Sequence, residues 1–242
     1  MIVRSTNLIA TNNSSDLSFN IYPPINLNNN EQHELALVGL TMYNSIPNID
    51  DTNNCFKFEY KNETYSFLIP HGAYEISSLN DYIKKEIETS HNFSNLLEIK
   101  ANHNTLRCVI ELKDEELKVY FDHENSLKNI LGFETQYIQG KGSHEGIHLV
   151  NINPINSILV NCSSIEGSYL NGTQKPILYS FTPNVPPGFR IVEDIFSPVF
   201  LPVSDRNLDC MKIWLTDQNM KKINVRGEEV TLRLELRSKI SY

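Results

Sequence analysis

The chain has 242 residues, of which 40% are hydrophobic and 21% charged, and a formal net charge of −8. That composition belongs to a folded globular protein, and the length suits one large all-β domain or two smaller domains. The acidic balance argues against a general nucleic-acid binder, which needs clustered Lys and Arg to neutralise phosphates.

The opening MIVRSTNLIATNN carries no sustained apolar stretch of the secretory type. The longest apolar run, Leu35–Tyr43, is far too short to span a bilayer, so no membrane span is expected. Cys55, Cys108, Cys162 and Cys210 lie far apart with no CxxC, and are expected to be reduced, mostly buried thiols of an intracellular protein.

In chain order, Val3–Ile9 reads as a first strand, and Leu17–Tyr22 (LSFNIY) as a second, alternating one. Pro23-Pro24 is expected to end it, because proline donates nothing to a ladder. Asn26–Gln32 reads as a polar loop, and Glu34–Tyr43 as a central strand buried on both faces. The texture changes after Pro47. Phe56–Tyr60 and Thr64–Ile69 suggest a hairpin, and Ser78–Ser90 a helix capped at Ser78 with Leu79, Tyr82, Ile83 and Ile87 on one face. Short strands follow at Leu96–Ala101, Leu106–Leu112 and Leu117–Phe121, then a short helix over Ser126–Phe133. Residues 55–140 are therefore expected to form an inserted α+β subdomain, one helix against one small sheet. Gln136–Glu145, glycine-rich and polar, reads as a loop.

After it, strand texture returns at Ser157–Cys162, Ile177–Thr182 and Arg190–Ile195, with Ser197–Val203 extended. The segment Cys210–Arg237 closes the chain. Val230, Leu232, Leu234 and Leu236 alternate with Thr231, Arg233, Glu235 and Arg237, a strand with one buried and one wet face. Met211–Thr216 reads as its antiparallel neighbour, joined through Asp217–Glu229 with a turn at Gly227. Three strands before the mixed block and about five after it make roughly eight, the jelly-roll number. The fold class expected is mainly β: an antiparallel jelly-roll sandwich over 1–50 and 145–242, with the 55–140 insertion.

His144-Glu145-Gly146-Ile147-His148 matches HExxH, which binds zinc when a helix puts both histidines on one face. Gly140, Gly142 and Gly146 argue against that helix, so the segment reads as a polar loop and no metal site is expected. A cupin-type metal site would need a His-x-His strand followed by a Glu and a later His; no His-x-His occurs, and no histidine follows His148. GxSxG, GxGxxG and P-loop patterns are absent, so no catalytic residues and no cofactor are expected. The proline-rich stretches Tyr22-Pro23-Pro24 and Val185-Pro186-Pro187-Gly188-Phe189 read either as rigid loops or as contact surface for neighbouring subunits, since stiff segments lose little entropy on docking.

The succession PPINL, ELALVGLTMYNSIPNI, IPHGAYEISSLNDYI, NSLKNILGF, VNINPINSILVNCSSIEGSYLNG, FTPNVPPGFRIVE and DQNMKKINVRGEEVTLRLELR resembles the minor capsid (penton) proteins of Polinton/Maverick elements and adintoviruses. The resemblance covers nearly the whole chain. It implies a jelly-roll protein of the virion that forms homopentamers at icosahedral vertices, beside a double-jelly-roll major capsid protein. It implies no catalytic residue and no direct nucleic-acid contact. A carbohydrate- or receptor-binding β-sandwich is the alternative that the scattered aromatics leave open.

Overall fold

The structure, a computed structural model, describes residues 2–27, 31–153 and 155–240, so the centre of the expected loop Asn26–Gln32 lies outside the described residues. Three long strands come first: β1 (Ile2–Asn12), β2 (Asp16–Asn26) and β3 (Gln32–Tyr43). Shorter elements follow: β4 (Cys55–Tyr60), β5 (Glu63–Leu68), helix α1 (Ile76–His91), β6 (Leu97–Asn102), β7 (Arg107–Leu112) and β8 (Lys118–Tyr120). Then come helix α2 (Lys128–Leu131), β9 (Tyr137–Gln139) and β10 (Gly142–Leu149). The chain continues with β11 (Ile158–Cys162), β12 (Ser168–Leu170), β13 (Thr173–Lys175), β14 (Ile177–Phe181) and β15 (Arg190–Asp194). It closes with β16 (Leu201–Pro202), β17 (Asn207–Asp217) and β18 (Val230–Ile240). Two compact units result: residues 1–46 with 155–242, and residues 47–154.

In the first unit one sheet runs β1-β18-β3-β15, with β16 also on β3, and the other runs β14-β11-β17-β2. Numbering the eight principal strands one to eight along the chain, the sheets read 1-8-3-6 and 5-4-7-2. That interleaving is the two-Greek-key order of a jelly roll. The inner faces meet in one core, with Leu35, Leu37, Leu40 and Met42 of β3 and Leu232 and Leu234 of β18 against Val160, Met211, Ile213 and Leu215.

The expected neighbour of the closing strand is a correction. Met211–Thr216 lies in β17, paired with β11 and β2, whereas β18 pairs with β1 and β3 in the other sheet. The polar connection between them crosses from sheet to sheet instead of closing a hairpin. Gly227 does sit in a turn, with the Glu228 N–H donating to the Val225 carbonyl at 3.0 Å. The apolar run of β3 also has a more specific cause than burial on both faces. A register shift pairs Gly39 with Arg233 but Leu37 with Leu234, leaving Val38 as an extra residue. The bulge switches the inward phase from Leu35 and Leu37 to Leu40 and Met42, so the sequence reads as nearly continuous.

Pro23-Pro24 does not end β2. The strand continues to Asn26, but its ladder to β17 breaks: Asn20 pairs with Cys210 and Ile25 with Leu208, so Ile21–Pro24 face Asp209 alone. β2 is an edge strand, where a proline bulge leaves no central ladder bond unmade.

The second unit holds two sheets, β10-β7-β6 and β5-β4-β8-β9, where one was expected. Its core gathers Phe58, Ile69, Leu79, Ile83, Leu97 and Ile110. Helix α1 buries Ile76, Leu79, Ile83 and Ile87, spaced by three and four, while Tyr82 is half-buried. It begins two residues before the expected start, so Ser78 is not the N-cap. Glu75 takes that place, and the Ser78 hydroxyl reaches back to accept the Glu75 N–H at 3.0 Å. Asn80 of the helix accepts the Ile99 N–H at 2.8 Å, occupying a donor on the edge of β6. The expected loop Gln136–Glu145 is also corrected: it contains β9 and the start of β10.

Candidate interaction surface

The two proline-rich segments fall on opposite lateral sides of the sandwich. Tyr22, Pro23 and Pro24 bulge from β2, which with β1 forms one side; Tyr22 is 95% exposed, and Ile9 on β1 is exposed too. Val185–Phe189 leads into β15, on the side formed by β14 and β15. The segments also lie toward opposite ends, since Asn44 after β3 holds one and the half of β2 leading to the start of β3 holds the other. The twelve residues of β3 span about 40 Å at roughly 3.3 Å each. The structure therefore does not bring the two segments together.

Val185–Phe189 is rigid for a visible reason. The Asn44 side-chain amide donates to the Val185 carbonyl at 2.7 Å, its backbone N–H donates to the Phe189 carbonyl at 2.8 Å, and its carbonyl accepts the Gly188 N–H at 2.8 Å. Val185 packs half-buried against the core, so it anchors the turn, while Pro186, Pro187 and Phe189 remain exposed. Beyond the turn, β15 and β16 run along the outer edge of β3; the Ile195 N–H still donates to the Val38 carbonyl at 3.2 Å, and residues 196–200 bridge the gap between the two strands. Val192, Phe196 and Val199 are exposed there, Phe196 by 96%. Sequence reading missed this line of apolar side chains, because single exposed hydrophobics inside an extended run carry no signal of their own.

HEGIH lies in β10, not in a loop and not on a helix. Its three polar side chains take separate partners. His144 Nε2 is 3.0 Å from the Gly140 carbonyl, His148 Nε2 is 2.5 Å from Glu134, and Glu145 accepts from Asn102 at 3.1 Å and Thr105 at 2.5 Å. The His148 imidazole holds the Glu134 carboxyl below the ordinary carboxylate range. Gly146 is needed because a Cβ there would stand 2.8 Å from the Leu131 carbonyl oxygen and 2.9 Å from that of Gly132. Among the described residues no three His, Cys, Asp or Glu side chains are grouped to hold a metal ion, and no helix is long and apolar enough to cross a membrane.

The cysteines are unpaired thiols, with Cys108 and Cys162 buried and Cys55 and Cys210 half-buried. Burial pushes the Cys108 thiol up to about 12 and that of Cys162 up to about 11. Charge is unevenly divided: residues 47–154 carry 17 acidic against 10 basic side chains, and the remainder 12 against 11.

A scan against protein-family models gives no match, and a search of curated proteins gives none either. Among solved structures, the chain is similar to the mavirus penton protein, with 9% identity and a TM-score of 0.49, over 98% of this chain and 100% of that one. It is also similar to a chain in the cryo-electron microscopy structure of the Sputnik virophage, with 13% identity and a TM-score of 0.44, over 98% of each chain.

Proposed function

We propose that the protein is a minor capsid protein that forms homopentamers at the vertices of an icosahedral virus-like particle, beside a double-jelly-roll major capsid protein. The observation that carries this reading is the pair of unlike lateral sides on the jelly roll, each with large apolar side chains in solvent: Ile9 and Tyr22 on one, Phe189, Val192 and Phe196 on the other. A contact between unlike surfaces is heterologous, and repeated around an axis it closes into a ring. In this reading Tyr22–Pro24 and Phe189 each touch a different part of the neighbouring copy, as their separation along β3 requires. The order of sequence motifs, which resembles Polinton/Maverick pentons, supports the same reading.

The purified chain at high concentration is expected to sediment as a closed ring. Tyr22→Asp and Phe196→Asp, at almost fully exposed positions, should each shift it to monomer with little change in melting temperature, since such surface changes usually stay within about 0.5 kcal/mol. A ring that survives both substitutions would refute the proposed contact.

A further inference from the structure

Strands β12 and β13 form a two-stranded hairpin, a sheet separate from the two of the jelly roll. Its tip is Asn171-Gly172, the one Asn-Gly pair in the sequence. Leu170 pairs directly with Thr173, so the loop has two residues, and both take positive φ, 49° at Asn171 and 77° at Gly172. That is the primed turn for which Asn-Gly is a preferred filling. The hydrogen bond of such a turn joins its first and fourth residues, which leaves the Gly172 N–H uncommitted. Both tip residues are exposed, and a Cβ on Gly172 would meet nothing within 4 Å. Asn44, Asn48 and Asn161 commit their side-chain amides to backbone carbonyls, whereas among the described residues that of Asn171 takes no such partner.

We propose that Asn171 is a site of spontaneous deamidation, at a rate set by the opening of this hairpin. The Gly172 backbone nitrogen gives its proton to hydroxide and attacks Asn171 Cγ. The new C–N bond closes a five-membered succinimide; the Cγ–Nδ2 bond breaks, and ammonia leaves with a proton taken from water. Water then opens the ring at either carbonyl, giving aspartate or isoaspartate with no change of oxidation state. Glycine permits the attack because no side chain shields its nitrogen. The folded turn restrains it, because ring closure takes Asn171 out of the left-handed region. Resistance to opening is small, since a two-stranded ribbon is marginal by itself. Near the base, Gln174 Nε2 donates to the Glu166 carbonyl at 2.6 Å and Ser168 Oγ to the Ile177 carbonyl at 3.1 Å. The aspartate product keeps the turn, which Asp-Gly also fits. The isoaspartate product does not, because it adds a backbone carbon, and it presents the free carboxylate that an isoaspartyl methyltransferase esterifies.

Peptide mass spectrometry of the full chain, aged in mildly alkaline buffer with and without urea, tests this. Residue 171 should gain one mass unit and split into aspartyl and isoaspartyl forms, ahead of the exposed Asn13-Ser14 pair, whose serine hinders ring closure. Conversion should be several-fold slower in the native chain than in urea. Labelling of the aged native chain by an isoaspartyl methyltransferase should rise with time, and Asn171→Gln should remove most of it. Gly172→Ala should slow conversion several-fold in urea, a comparison that does not depend on whether the variant folds. An unmodified Asn171 while Asn13 converts, equal rates in native and unfolded chains, labelling unchanged in Asn171→Gln, or no slowing in Gly172→Ala would each overturn the proposal.

Discussion

Arg233 occupies the space that a side chain on Gly39 would need. A Cβ on Gly39 would stand 2.6 Å from Arg233 Nη2 and 2.7 Å from Nε, and the same guanidinium ends on Asp194 Oδ1 at 2.6 Å. The arginine of β18 thus crosses β3 at its missing side chain and reaches β15, tying three strands on the wet face. Both charged partners are more than half exposed, so the ion pair contributes at most about 1 kcal/mol.

A double-mutant cycle checks that relationship. Gly39→Ala should destabilise the intact chain by less than about 1 kcal/mol, because a flexible side chain can yield. In an Arg233→Ala background the same change should be neutral or stabilising, since glycine is a poor strand residue. Equal effects in both backgrounds would show that Arg233 does not lie over Gly39 in solution.

Leu234 is fully buried and Glu235 faces the other side of the same strand. Leu234→Ala should cost about 2–5 kcal/mol, and Glu235→Ala about 0.5 kcal/mol or less. Thermal denaturation of the two variants separates these outcomes, and similar melting temperatures would contradict the register of β18.

That register was legible because alternation in β18 is local. Which strands it pairs with was not. Its partners β1 and β3 begin more than 190 residues earlier in the chain, and a polar connection with a glycine turn looks alike whether it closes a hairpin or crosses between sheets. The bulge at Val38 hid in the same way, since it exchanges one alternating phase for another inside an apolar run. Strands β9 and β10 look like loop in the sequence because Gly140, Gly142 and Gly146 imitate a linker. At Gly146 the glycine answers instead to the close approach of the α2 turn. Tyr120 and Tyr137 meet only through cross-strand register, and three-residue strands carry too little pattern to announce it. The proline segments were visible in sequence, but their placement on opposite sides depends on the full strand order.

HEGIH should bind no stoichiometric zinc, because a strand with a broken register assigns its three polar side chains to different partners. Elemental analysis of the purified chain is expected to find less than one zinc per ten chains or so, and His144→Ala to change nothing. Gly146→Ala, by contrast, should lower the melting temperature, because its methyl meets backbone carbonyls that cannot swing aside. One zinc per chain, lost on replacing His144, would contradict the structural reading.

Thiol reactivity should divide the cysteines in two. Cys55 and Cys210 should react with a disulfide reagent in the native protein near pH 8, and Cys108 and Cys162 only on unfolding. The buried pair has folded values of about 12 and about 11, above the ordinary 9.0. Their contribution to stability is therefore complete below pH 9 and declines as the pH rises toward those values, because the unfolded chain ionises first. Cys108→Ala with Cys162→Ala should flatten this alkaline limb. Four equally reactive native thiols would contradict the burial of either.

The proposed heterologous ring of five copies is tested by cryo-electron microscopy of particles assembled with a double-jelly-roll major capsid protein. Density for this jelly roll is expected at the five-fold vertices, with the β1–β2 side of one copy against the β14–β15 side of the next. Particles whose vertices lack this chain, or a trimer of it elsewhere on the shell, would contradict it.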